Sequence, residues 1–572
     1  MSRKYLSLMA GVALLGFATG APTAFAQVAV NQTTTNNSTV TNLSTIGSGA
    51  IGLGGSVSSN ATGALSSTSA TATNADFNAP VIGTVTQGAV NSSSGTVTQF
   101  GGMTFSSGST LGAGSSAAFG ANGAVSALSI GNTTTGASIG SYTGQTVGNV
   151  DQGATNALTN AASVSNNGVI GLTGAAVDLT GDAATASVSA TGAAASVSST
   201  SINSNFGSTN SIGTVTQSAS NTGAISNTSS LTSPPAAGLT VGTVSGNGAA
   251  VSVGATGTSS SVSVATIGNS GAYGTTVGDI TQTPSNTLTG TNNVANTGTV
   301  STGAITGNGA SVSVASTGAA ASVAASSIGN IGTAGASFGN INQSPDNSTT
   351  NSGTVVGVTN SGSIETGAIS GAGAGVSVGA TGSLASVSLS SIDSGNTGTS
   401  AAGNTVGTVT QTTTNIGKVA NTGTISPQGA ISGVGAGESI GATGSMSSVS
   451  LANINSTSSV AETNTVGAIN QTTNSTGAIT NNGTINPVAL SGAGSSANIS
   501  ATGAASSVSA SSISNSLNAT SSLGPITQST YNNASSPVSN TGVMSLTSVG
   551  AGASVAVSAL GAGSFVSFRA VK

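Results

Sequence analysis

The sequence predicts an all-β chain, a repetitive β-solenoid or stacked β-sheet fibre built from about nine units of roughly sixty residues. Three observations carry that expectation. Residues 371–392, GAGAGVSVGATGSLASVSLSSI, alternate small and β-branched side chains, as a strand does when successive side chains face opposite ways. The pattern recurs in register, and no amphipathic helical run interrupts it.

Within residues 371–392, Val376 and Val378 share one face, and Val387 and Leu389 resume the alternation on the opposite parity. The Thr381-Gly382 step is therefore expected to be a turn or bulge that uses glycine's freedom at positive φ. On this assignment a charge at Val387 destabilises its unit and a charge at Ser388 is tolerated. Equivalent glycines fall at Gly63, Gly123, Gly192, Gly257, Gly318, Gly382, Gly444, Gly503 and Gly561. Valines follow five residues later at Val262, Val323, Val387, Val449, Val508 and Val566, and isoleucines ten residues later at Ile267, Ile328, Ile392, Ile454 and Ile513.

Taken in order, residues 1–26 read as a secretory signal peptide. Arg3 and Lys4 precede an apolar run over 6–17, and Ala24-Phe25-Ala26 supplies small residues at a cleavage point. The run is shorter than the ~20 residues of a spanning helix, which argues against an uncleaved anchor. Residues 27–60 form a Thr/Asn-rich N-terminal cap or lead, 61–549 the strand-repeat array, and 550–572 a capping repeat with the bulky Phe565 and Phe568.

Between glycine units lies an apolar-Gly-x-apolar-x-Gln box, ending at Gln87, Gln152, Gln217, Gln282, Gln343, Gln411, Gln471 and Gln528. An asparagine sits four residues on, at Asn91, Asn156, Asn221, Asn286, Asn347, Asn415 and Asn532, with the Gln471 box departing from the rule. A third element, Asn-x-Gly-x-apolar, begins at Asn166, Asn296, Asn360, Asn421 and Asn481 and is turn chemistry leading into a strand. Prolines such as Pro234, Pro235, Pro284, Pro345 and Pro427 lie between boxes.

Nine units exceed the usual 4–8 blades of a propeller, and immunoglobulin-like modules need larger anchors than Val, Ile, Ala and Leu. A solenoid with two or three coils per unit fits better, its small side chains burying unit against unit. Recurring Gln and Asn then form amide ladders, which supply hydrogen bonds where an isolated buried amide costs roughly 1–3 kcal/mol. Disorder is the rival reading of so much Gly, Ser, Thr and Asn; the fixed Val/Ile register opposes it.

Composition narrows the function classes. Of 572 residues only 3% are charged and 2% aromatic, with no cysteine, histidine or tryptophan. After removal of 1–26, the cations Lys418, Arg569 and Lys572 stand against ten carboxylates, a net charge of −7, so no nucleic-acid partner is expected. No later apolar run is long enough for a transmembrane helix, and a disulfide framework is excluded.

No catalytic residue, cofactor site or metal site is predicted. Asp178 and Asp182 are the closest carboxylates in sequence, suited on paper to calcium or acid-base work, but the pair does not recur with the repeat and reads as a solvated loop. Thr408, Thr410, Thr412 and Thr414 would align on one strand face and offer an ice- or lattice-binding row that other units break. Tyr142, Tyr273 and Tyr531 make no sugar-stacking platform. The residues that matter are structural repeat positions: Gly192, Gly257, Gly318, Gly382, Gly444, Gly503, Gln217, Gln282, Gln343, Gln411 and Gln471.

The signal-like segment, the GAGASVSV-like strands and the Gln-x-x-x-Asn boxes resemble bacterial exported β-strand-repeat surface proteins, including adhesins and autotransporter passenger regions, over the whole mature chain. The boxes also resemble curlin repeats, with a much longer unit and a different Gln-to-Asn spacing. The resemblance implies a secreted or cell-surface protein with structural or adhesive work, making contacts with copies of itself, matrix or cells. An outer-membrane β-barrel or pore is the alternative that alternating strands also allow, opposed by the missing aromatic girdles.

Overall fold

A computed structural model describes residues 28–569 apart from 37–39, 43–45, 76–80, 94–96, 107, 136–145, 159–163, 171–175, 206–210, 224–226, 229–237, 271–275, 289–293, 333–336, 349, 352–353, 356, 397–404, 459–464, 516–521 and 534–537. The signal-like segment 1–26, Pro234, Pro235, Tyr142 and Tyr273 lie outside the described residues. Every element among the described residues is a strand, and the strands stack in parallel from unit to unit. The chain is an all-β solenoid.

One turn of the path shows how the sequence builds a coil. Val409–Asn421 alternates inward Val409, Gln411, Thr413, Asn415, Gly417, Val419 and Asn421 with outward residues, and runs in what we call the amide sheet. At Asn421 the chain turns a corner, because the Asn421 Oδ1 accepts the N–H of Gly423, closing a side-chain turn. Thr424–Pro427 then joins a short sheet, extended by bridges that link Ile369, Ile431 and Leu490. A tight turn reverses the chain into Gly437–Ser458, one strand of the nine-stranded long sheet. The long sheet covers the amide and short sheets as the second layer.

The coil count differs from the sequence expectation. Val323, Val387, Val449 and Val508 pair directly in register, each one unit from the next, so each unit makes a single coil rather than two or three. A strand of 22 residues spans one whole layer, which is why one coil consumes about sixty residues.

The turn is also not where the sequence reading placed it. Gly382 sits inside the unbroken strand Gly375–Asn396 and has no positive φ. The strand bends there: Gly382 and Ser383 are both buried, and the inward parity changes from even to odd numbers. A Cβ on Gly382 would collide with the carbonyl oxygen of Gly444 in the next coil and would lie 3.0 Å from the Gly417 Cα of the opposite layer. Gly257, Gly318, Gly444 and Gly503 are packed in the same way against the glycine of the next coil. Gly192 occupies the same bend in Thr185–Asn205. Glycine serves there for close approach of two layers and two coils.

Positive φ is used nine residues earlier, at Gly54, Gly114, Gly248, Gly309, Gly373, Gly435, Gly494 and Gly552, in the turn that feeds the long strand. The unit of Gly192 places Ala183 there with φ 55. A left-handed alanine costs about 1–2 kcal/mol, part of which glycine loses again in chain entropy. Ala183→Gly is therefore expected to stabilise its coil by about 0.5–1 kcal/mol, read as slower hydrogen exchange of the strand Thr185–Asn205.

The interior is apolar at both ends of the cross-section. One cluster joins the short sheet to the start of the long strands through Ile364, Ile425, Val378 and Ile440. A second joins the start of the amide strands to the end of the long strands through Val409, Leu389 and Ile392. Between them Val419 meets Ala442, and the inward amides fill the middle. Val387 is 1% exposed and Ser388 is exposed, the face assignment expected from the alternation.

Candidate functional site

The buried amides are the most organised polar feature of the molecule. Strand alternation turns the box glutamine inward, and parallel register sets it directly over its counterpart, as for Gln217 on Gln282 and Gln411 on Gln471. Gln87, Gln152, Gln217, Gln282, Gln343, Gln411, Gln471 and Gln528 form one continuous ladder, in which each Nε2 from Gln152 onward donates to the Oε1 of the preceding coil at 2.7–3.3 Å. All five predicted glutamines, Gln217, Gln282, Gln343, Gln411 and Gln471, are fully buried in it.

The asparagine ladder has the opposite polarity. From Asn91 through Asn156, Asn221, Asn286 and Asn347 to Asn415, each Nδ2 donates to the Oδ1 of the following coil at 2.7–2.9 Å. The second Nδ2 hydrogen crosses the core to the long sheet. Its acceptor is the carbonyl two residues after the unit glycine, of Val125, Ala194, Ser259, Ala320, Leu384, Met446 and, for Asn532, Gly563, while Asn91 also reaches the Ala64 carbonyl at 3.4 Å. The glycine bend thus brings the carbonyl within reach of the asparagine, which ties together two features that are separate in sequence.

At the departing box, Ser475 replaces asparagine. The Ser447 and Ser475 hydroxyls lie 2.6 Å apart, and Ser506 donates to Ser475 at 3.2 Å, so local serines take over from the missing amide. Corner asparagines form a third column. Asn296, Asn360, Asn421 and Asn481 each donate Nδ2 to a long-sheet carbonyl, of Ala315, Gly379, Gly441 and Ser500, at 2.8–3.1 Å.

Sequence reading missed two residues and a carboxylate. Gln32 and Asn36 pair in backbone register with Gln87 and Asn91, so Val28–Asn36 adds a ninth strand to that register. Its Gln-x-x-x-Asn spacing was the available signal; the preceding apolar-Gly step is absent. Glu438 stands in register between Val376 and Ala497, 1% exposed, with both carboxylate oxygens unpartnered among the described residues. Burial pushes its carboxyl up from 4.5 to about 8. Comparing GAGESIG with GAGVSVG one unit earlier would have flagged it.

Asp178 and Asp182 do not converge on a shared site. Asp178 Oδ1 accepts the N–H of Thr243 at 2.6 Å and Asp182 Oδ1 that of Asn247 at 2.8 Å, both one coil on. Asn247 and Asn308 perform the same service for Asn308 and Ala372, so Asp182 holds an asparagine's structural place.

The fold and its interior define a two-layer parallel β-solenoid with an amide-laddered core. Comparison with protein-family models, with curated proteins and with solved structures gives no match. No helix among the described residues is long and apolar enough to cross a membrane.

Proposed function

We propose that this chain is an exported structural and adhesive repeat protein, working outside the cell or at its surface through its shape and through contacts with copies of itself, matrix or cells. The observation that supports the reading is the nine-rung stack of the long sheet, continuous from Ser56–Ala75 to Ser554–Phe568 and braced within by ladders running the same way. Such a stack presents a weakly charged sheet surface of repeating outward positions, suited to multivalent contact.

Electron microscopy and circular dichroism on protein lacking residues 1–26 test it. Elongated particles with a β spectrum are expected; a coil spectrum without elongated particles overturns the reading. Thioflavin binding with fibre reflections near ~4.7 and ~10 Å separates a polymer from a single solenoid. Recovery in culture medium or in a protease-accessible surface fraction tests export.

The two alternatives draw less support. A barrel turns apolar residues outward to lipid and polar ones inward, whereas here Val376, Val378 and Val387 are buried in the interior. A lattice-binding row needs repetition along the stack, but outward Thr410 and Thr414 stack on Asn342 and Asp346 in one direction and on Asn470 and Asn474 in the other.

A further inference from the structure

The last described coil leaves the inward apolar columns of its long strand exposed. Its strand Ser554–Phe568 pairs in register on Ser496–Asn515, and its columns continue inward ones: Val555 follows Ala497, Val557 follows Ile499, Val566 follows Val508 and Phe568 follows Ala510. One coil back these residues are 0–3% exposed; Val555, Val557, Val566 and Phe568 are 41%, 55%, 48% and 39% exposed. Within 554–568 these apolar columns are open to solvent. A capping repeat carries a polar outer face.

The first coil differs. In the same columns it has Val57, Ser59 and Thr68, with Gly63 at the bend, and Ser59 and Thr68 are already buried. The two ends match in register: the Val57 column ends at Val555, the Ser59 column at Val557 and the Thr68 column at Val566. Both end in parallel strand edges of the same sheets, and the glutamine column begins in backbone register at Gln32 and ends at Gln528. Ladder polarity fits as well: the Gln528 Nε2 donates back to Gln471, leaving its Oε1 facing onward with no donor from a described residue.

We propose that this face takes the first coil of a second copy, so that chains join head to tail with Val28–Asn36 and Ser56–Ala75 of one continuing the amide and long sheets of the other. The proposal rests on the self-associating reading above and names its interface. Coil-on-coil pairing in this register already recurs along the whole chain. A head-to-tail contact does not close, so it generates filaments.

The test uses the full chain and the chain beginning at Gln27, which retains every described strand, in electron microscopy and light scattering. Filaments one solenoid wide are expected, and Val557→Lys with Val566→Lys raises the concentration needed for growth by at least about tenfold. Added substoichiometrically to the unaltered chain, the same variant shortens filaments, because its first coil still docks while its last coil accepts nothing; a misfolded variant would not do so. Filaments indifferent to the variant overturn the interface, as does growth that stops at pairs, which places two C-terminal faces together. Single particles that float with phosphatidylcholine vesicles and never elongate also overturn it, assigning the face to lipid. In all three cases elongated single particles leave the structural reading standing; their absence removes both.

Discussion

Replacing Glu438 by valine stabilises the protein, and the gain grows with pH. Its column reads Val312, Val376, Glu438, Ala497, so valine restores the apolar side chain of the preceding coils. The folded-state pKa is raised, from 4.5 to about 8; the fold therefore binds the proton more tightly than the unfolded chain. Stability is full below about pH 4.5, falls as pH rises toward 8, and levels off above. The whole excursion amounts to about 5 kcal/mol, of which about 3 kcal/mol is already lost at pH 7.

Because neighbouring coils share their stability, the change is read locally, as hydrogen exchange of Gly375–Asn396, Gly437–Ser458 and Ser496–Asn515 across that pH range. Glu438→Gln is expected to remove the pH dependence while keeping a polar side chain. With no histidine in the chain, few other groups titrate there. A wild-type profile that stays flat from pH 5 to 8 would refute the buried, unpartnered carboxyl.

Gln343→Leu has the second large effect, in the opposite direction. Gln343 donates to Gln282 at 2.7 Å and accepts from Gln411 at 2.8 Å, both in full burial. Leucine leaves one acceptor and one donor without partners, each costing about 1–3 kcal/mol. The expected loss is about 2–6 kcal/mol before the added apolar contact offsets part of it. It should concentrate in Ile280–Leu288 and Val409–Asn421, the strands on either side, and exchange should accelerate there first. A uniform, small change along the array would mean that the ladder does not couple its rungs.

Much of the fold is legible in the sequence, for a physical reason that particular residues make plain. Val376, Val378, Val387 and Leu389 all lie inward as their alternation implies, because side-chain parity is a property of adjacent residues and survives any tertiary arrangement that keeps the strand. The glutamines stack because a fixed unit length places equal positions one above another. The departing box was visible too, but not that Ser447 and Ser506 compensate for Ser475.

By itself, then, the sequence determines that the chain is an all-β stack of about nine units, which residues face inward and which amides recur in step. Only the tertiary structure decides that one unit is one coil, that Gly382 permits close packing while Gly373 makes the turn, that asparagine reaches the carbonyl two residues past the glycine, and that Glu438 has no partner. These depend on which segments meet across the two layers. That is set by where the chain reverses; each reversing glycine is the second of a Gly-x-Gly step nine residues before the unit glycine, but Gly-x-Gly steps are common among 86 glycines and only the fold shows which of them turn.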